Sequence, residues 1–376
     1  MFRLLSTTEH GKEILSECKA FVTEHLEKIH NCYNTIDGSF SKEEVGRIVL
    51  VDVCFLLEFF RRLVNSTEDC PKNDNMIFWS MRRDAALVEN QLPLFAIKGL
   101  LDVTSQAQAQ AQAQDDNSNM KNMCVNMMRL VRLTPDPPSQ IPEDILTTDN
   151  CPHLLDLVRC CHLRIGTSND DDVDVTEEDR FSLLDSSPRS IQLRSATQLS
   201  AAGVSFRKAE GVNLLALDFS DGVFRIPALV LHDSTETLMI NLLAYGHLAC
   251  NVTPDEADFF SSYVMVMMHL VQTRKDLALL ERKGIIVNEM SSRADGPTIF
   301  RNVNKEVFLS VFKFKNLCDQ IDAFANFSLR RYKMSFITSY LKSPWTVISL
   351  IAAGFLLCLT IIQTFYSIYS WHKKKT

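Results

Sequence analysis

At 376 residues, with 46% hydrophobic and 23% charged side chains, the chain is long enough for one large or two ordinary domains, and wholesale disorder is excluded. A formal charge of −7 excludes the basic field that a nucleic-acid-binding surface needs, so no nucleic-acid partner is expected. Eleven cysteines, an odd number without a CxxC pair, exclude a disulfide scaffold and predict buried thiols in a reducing compartment.

The opening stretch, MFRLLSTTEHGKEILSECK, lacks the apolar run of a signal peptide. Between residues 12 and 33, Ile14, Cys18, Phe21, Val22, His25, Leu26, Ile29 and Tyr33 recur at three- and four-residue intervals, which predicts an amphipathic helix. Ser41 and Glu44 have capping-box spacing, and VGRIVLVDVCFLLEFFRRLV after them is apolar almost all round, which predicts a central buried helix carrying Asp52 and Glu58. Residues 76–101 predict a helix, a break at Asn90 and Gln91, and a second helix entered near Pro93. The alternating Gln-Ala tract in SQAQAQAQAQDDNSN has no apolar face and is expected as an exposed low-complexity insertion. LTPDPPSQIPEDI is an extended Pro-rich connector. CPHLLDLVRCCHLRI follows as a helix burying Leu154, Leu157, Val158, Cys161 and Leu163, and the acidic TSNDDDVDVTEEDRFSLLDSSP is expected as a flexible joint.

In the second half, SATQLSAAGVSFRKAE predicts a helix stopped by Gly203 and then a strand. LLALDFSDGVFRIPALVL alternates on both sides of Asp221 and Gly222, a hairpin whose returning strand should be an edge at Pro227. Thr253 at N-cap, Pro254 at N1 and Glu256 at N3 open a long helix, and more helices are expected from 305 to 341. The expected fold is mainly α, a multi-helix globular body with one small β-hairpin element and a single C-terminal transmembrane helix. Its segments run 1–104, 105–119 (Gln/Ala insertion), 120–166, 167–189 (acidic linker), 190–342, 343–371 (anchor) and 372–376 (basic tail).

The anchor expectation rests on residues 347–369, which as a helix would be about 35 Å long against a hydrocarbon core of about 30 Å. Val347, Leu350, Gly354, Leu357, Ile361, Phe365 and Tyr369 would lie in the span. Trp345, Tyr366 and Trp371, with Lys373, Lys374 and Lys375, would sit at the interfaces. With no earlier signal, such a helix would insert after translation into the plasma membrane or endoplasmic reticulum and leave the body in the cytosol. The sequons at Asn65, Asn251 and Asn326 would be glycosylated only in the opposite orientation.

No GxSxG elbow, Walker loop, GxGxxG or HExxH is present, and no cofactor is expected. Cys151, His153, Cys160, Cys161 and His162 lack zinc-site spacing, so no metal is expected, and His232, His247 and His269 read as satisfied core histidines. Glu89, Asn90 and Gln91, between apolar runs, either form a buried polar network that fixes the helix–turn–helix or line a recognition site. The enzyme alternative would use Asp52, Glu58 or Glu89 as acid or base in a helical pocket.

Several blocks in order, DVCFLLEFF, DAALVENQLPLF, HLLDLVR, SATQLSAAGVSF, GVFRIPALVLHDSTETLMINLLAY and SPWTVISLIAAGFLLCLTIIQT, resemble the plant family known as domain of unknown function 247. The resemblance implies a plant protein with a C-terminal membrane helix and no established enzyme activity. Recognition of a protein partner is the function it suggests, in some members as a pollen-side determinant of self-incompatibility. The family's opening motif around Gly-Pro-Tyr-His is absent before the first helix, and the Gln-Ala tract is an addition to the family pattern.

Overall fold

The computed structural model describes residues 9–33, 40–65, 75–106, 116–136, 141, 152–163, 193–249, 252–292, 296–327 and 344–373. The first capping box forms as spaced: the Ser41 amide donates to the Glu44 carboxylate at 2.8 Å, and the Glu44 amide donates to the Ser41 hydroxyl at 3.2 Å. It starts α3, Lys42–Asn65. The expected helix before it is two, α1 Glu9–Glu24 and α2 Leu26–Asn31, parted at His25. Then follow α4 Asn75–Asp84, a 3₁₀ turn Val88–Asn90 and α5 Leu94–Gln106. A Cβ on Gly99 would fall 2.1 Å from the Phe21 ring, so α1 and α5 approach where glycine leaves room.

α3 corrects the expectation of a helix buried all round. Val45, Val49, Val53 and Leu57 are in the core, but Ile48, Val51 and Phe55 are 46%, 46% and 52% exposed. The α1, α2, α5 and α6 neighbours cover only part of its circumference.

α6, Asp116–Val131, and α7, Leu154–His162, complete this part. α7 buries the expected Leu154, Leu157, Val158 and Cys161, and Leu155, Asp156 and His162 besides, so its neighbours enclose it nearly all round. The Gln-Ala repeat beyond Gln106, most of the Pro-rich connector and the acidic stretch 167–189 lie outside the described residues.

α8, Ala196–Ala201, ends before Gly203 at φ 100 and leads into β1, Ser205–Ala209. β2, Asp218–Ser220, and β3, Val223–Pro227, form the expected hairpin, with Asp221 at φ 53 and Gly222 at φ 76 in a two-residue turn. β3 is nonetheless the central strand of a β1-β3-β2 sheet, because β1 pairs with it in parallel. Pro227 is accommodated at the last position of β3 rather than on an edge strand. A second, two-stranded parallel sheet joins β4, Leu229–Leu231, to β5, Ile286–Asn288, so the β content exceeds one hairpin. Around the sheets pack α9 Thr235–Leu248, α10 Pro254–Leu270, α11 Arg274–Arg282, α12 Gly296–Lys305 and α13 Lys315–Asn326. One continuous apolar core runs from Ile14 on α1 to Ala325 on α13.

The last helix, α14, is Pro344–Lys373. Among the described residues, no helix is long and apolar enough to cross a membrane, which overturns the expected single transmembrane helix. Gly354, Leu357 and Ile361 are exposed on α14. Val347, Leu350, Phe365, Tyr369, Trp345, Tyr366, Trp371 and Lys373 fall within its bounds, and Lys374 and Lys375 lie outside the described residues.

A candidate recognition cleft

The turn between α4 and α5 is held from two sides by side chains distant in sequence. The Gln91 side-chain amide donates to the Ala85 and Leu87 carbonyls at 3.1 and 2.5 Å and accepts from the Leu155 amide at 2.9 Å. Gln91 thereby closes its own turn and supplies an acceptor to an orphan N–H in the first turn of α7. The Tyr33 hydroxyl donates to the Gln91 carbonyl at 3.2 Å, and burial pushes its phenol above the ordinary range, with the nearby Asp52 adding a smaller part. From the second half, Asn241 on α9 accepts from the Val88 amide at 2.9 Å. The Leu94 amide donates to the Pro152 carbonyl at 2.8 Å, which docks the start of α5 beside the start of α7.

This stapled turn forms one wall of a cleft with a volume of about 750 Å³. α3 forms the opposite wall, where Ile48, Asp52 and Phe55 project from one helical stripe, at i, i+4 and i+7. Phe40, half exposed, stands before α3, and Met81, Leu92 and Ile97 line the other side. Glu89 and Asn90 are exposed at the cleft, whereas Gln91 is buried. The triplet therefore divides into a structural residue and two that face the opening.

Asp52 and Glu89 share the cleft, and burial raises the Asp52 carboxyl above its usual range. Glu58, the third carboxylate of the enzyme alternative, is buried on α3 and does not line the cleft. Asp84 lines it too, with the exposed Arg83 guanidinium 3.8 Å away.

Elsewhere, buried acids are committed to partners within the fold. Asp276, fully buried, accepts from the Thr273 amide and hydroxyl at 2.9 and 2.7 Å and from the Thr197 amide and hydroxyl at 2.8 and 2.7 Å. It serves the N-terminus of its own helix α11 and that of α8 together. Burial alone would raise its carboxyl, but these donors hold it below the ordinary range. Asp258 accepts from the Ser310 and Val311 amides at 3.0 Å each. Asp156 pairs with Arg159 at 2.7 Å, and Arg159 reaches Glu256 at 3.5 Å, joining α7 to the cap of α10.

The histidines divide as well. His232 is buried between the Val131 carbonyl and the Ser234 hydroxyl, each 3.0 Å away, and burial holds it down at about 4. His247 is exposed beside Ser261 and Phe308, unlike the core residue expected, while His269 is half-buried with its pKa lowered by burial. His153 caps α7 and lies edge-on to Tyr245, and His162 meets the Val212 carbonyl, so the two take different partners. Among the described residues no group of His, Cys, Asp and Glu could hold a metal ion.

Sequence reasoning missed Phe40, Ile48 and Phe55 as cleft residues. The available signal was Asp52 in register with Ile48 and Phe55, since an acid on an apolar stripe marks a face that meets water. Asn241 left no local signal, because it acts across 153 positions.

A family model described as a plant protein of unknown function, DUF247, matches residues 1–359. A UPF0481 protein of Arabidopsis thaliana is 24% identical over 213 residues, covering 54% of this chain and 39% of the relative. Another UPF0481 protein of the same plant is 22% identical over 343 residues, covering 87% of this chain and 69% of the relative. The chain thus spans well under half the length of the first of these relatives. No solved structure matches.

Proposed function

The chain belongs to the DUF247 family of plant proteins of unknown function, and from that premise we propose that it works by docking a protein partner in the cleft between α3 and the 88–91 turn. The supporting observation is the exposed row of Ile48 and Phe55, with Phe40 beside it, facing a wall whose backbone is pinned by Gln91 and Asn241. Large apolar side chains left in water along a preformed groove are the usual footprint of an interaction site. A rigid wall lowers the ordering cost of binding. A pollen-side role in self-incompatibility is the narrower form of this proposal that the resemblance implies.

A photoreactive phenylalanine analogue at position 55 of the full chain, expressed in plant tissue, tests the docking role. The expected product is a crosslinked species that disappears when Ile48→Arg is added. The same analogue at the exposed Phe308 should give no product that depends on Ile48. Failure to find an Ile48-dependent product at position 55 would sink the reading.

A second reading, acid–base catalysis, is favoured by one observation: Asp52 and Glu89 share the cleft and Asp52 is held above its usual range. It would require both carboxyls for turnover of a small substrate, whereas docking requires the apolar row.

A further inference from the structure

The charge of the cleft narrows the kind of partner. Three lining residues, Asp52, Asp84 and Glu89, are acidic, and no lysine, arginine or histidine lines it among the described residues. Asp84 has Arg83 nearby, but Asp52 and Glu89 make no ion pair among the described residues. The two lie on opposite walls, one on α3 beside Ile48 and Phe55, the other on the pinned turn. Low-dielectric walls carrying one sign of charge concentrate the opposite sign between them. An apolar floor with an acidic rim is complementary to an apolar stripe flanked by cations.

The geometry points to a peptide segment with an apolar face flanked by lysine or arginine as the occupant of this cleft, with Ile48 and Phe55 taking the apolar face and Asp52 and Glu89 the cations. This assignment rests on the docking role proposed above and adds its charge. An acidic or purely apolar segment leaves both carboxylates without a partner. An acidic one also meets repulsion from two walls.

Two labelled synthetic peptides test it, an amphipathic Leu/Lys helix and a Leu/Glu helix with the same apolar face, titrated with the full chain by fluorescence anisotropy. The Leu/Lys peptide should bind at least about tenfold more tightly at low salt, and the difference should shrink as salt screens the exposed charges. Asp52→Asn with Glu89→Gln should reduce the preference to about threefold or less. Because the chain is acidic overall, the matched control is Glu210→Gln with Glu306→Gln, exposed positions in the other half. That pair should leave the preference in place. If both peptides bind alike, and both are weakened by Ile48→Ser with Phe55→Ser, the charge assignment is overturned while the docking role stands. If neither peptide's binding responds to Ile48→Ser with Phe55→Ser, the docking role fails with it. A preference lost equally in the control pair would reduce the effect to net charge and overturn the assignment too.

Discussion

Asp276 and Asp52 both sit on helices among apolar neighbours, and the chain uses them in opposite ways. Asp276 lies where the N-termini of α8 and α11 converge, and four donors from Thr197 and Thr273 saturate its oxygens. Asp52 stands on the exposed stripe of α3, where burial penalises its charge and no cation among the described residues offsets it. The first carboxylate completes the fold, and the second is left available. Polarity in an apolar setting therefore marks either a joint or a site, and the hydrogen-bond partners separate the two.

The largest expected effect tests the joint. Asp276→Ala removes one helix's capping box and the borrowed acceptor of another, and should destabilise the protein by about 3 kcal/mol at neutral pH. Denaturant unfolding checks this. The folded carboxyl is held below the unfolded value of about 3.9, so its stabilisation is complete above that value and is lost as pH falls through the folded one. The difference between wild type and variant should therefore shrink in acid. A difference independent of pH would break the assignment of Asp276 as a charged cap.

Much of this could be seen in the sequence where both partners lie within one helical turn or one hairpin. Ser41 with Glu44, Thr253 with Glu256, and Asp221 with Gly222 each formed as their spacing demands. Asp276 with Thr197, 79 positions apart, could not be found that way, because any of the chain's other acids would fit the same arithmetic. The open face of α3 was also hidden: its apolar composition suits burial everywhere, and only packing decides which side its neighbours leave bare. Pro227 misled because a proline that cannot donate to a ladder suits an edge strand and the last residue of a central one equally well. The apolar composition of 347–369 likewise suggested more than the described part of α14 supports.

Gln91 lies between the two extremes, a joint that forms the wall of the site. Gln91→Ala leaves the Leu155 amide without its acceptor and the turn without two donated bonds, an expected loss of about 2 kcal/mol. Gln91→Glu should cost no less, since a carboxylate would face the Ala85 and Leu87 carbonyls. Amide hydrogen exchange gives the local readout, with Leu155 exchanging faster in both variants. If Leu155 stays protected in Gln91→Ala, the side chain is not what joins the turn to α7.

The smallest effect is the most discriminating, because its sign is reversed. A folded acid whose pKa lies above its unfolded value contributes unfavourably once it ionises, so Asp52 in its charged form opposes folding slightly at neutral pH. Asp52→Asn should therefore leave stability unchanged or raise it by up to about 0.5 kcal/mol, the figure kept small because the side chain meets solvent. That gain should vanish as pH falls through the folded pKa of Asp52, where wild type becomes neutral as well. Parallel pH titrations of Asp52→Asn and Asp276→Ala would give curves of opposite sign that both shrink in acid. If Asp52→Asn destabilises at neutral pH, then Asp52 is bonded into the fold like Asp276, and the cleft loses the carboxylate on its α3 wall.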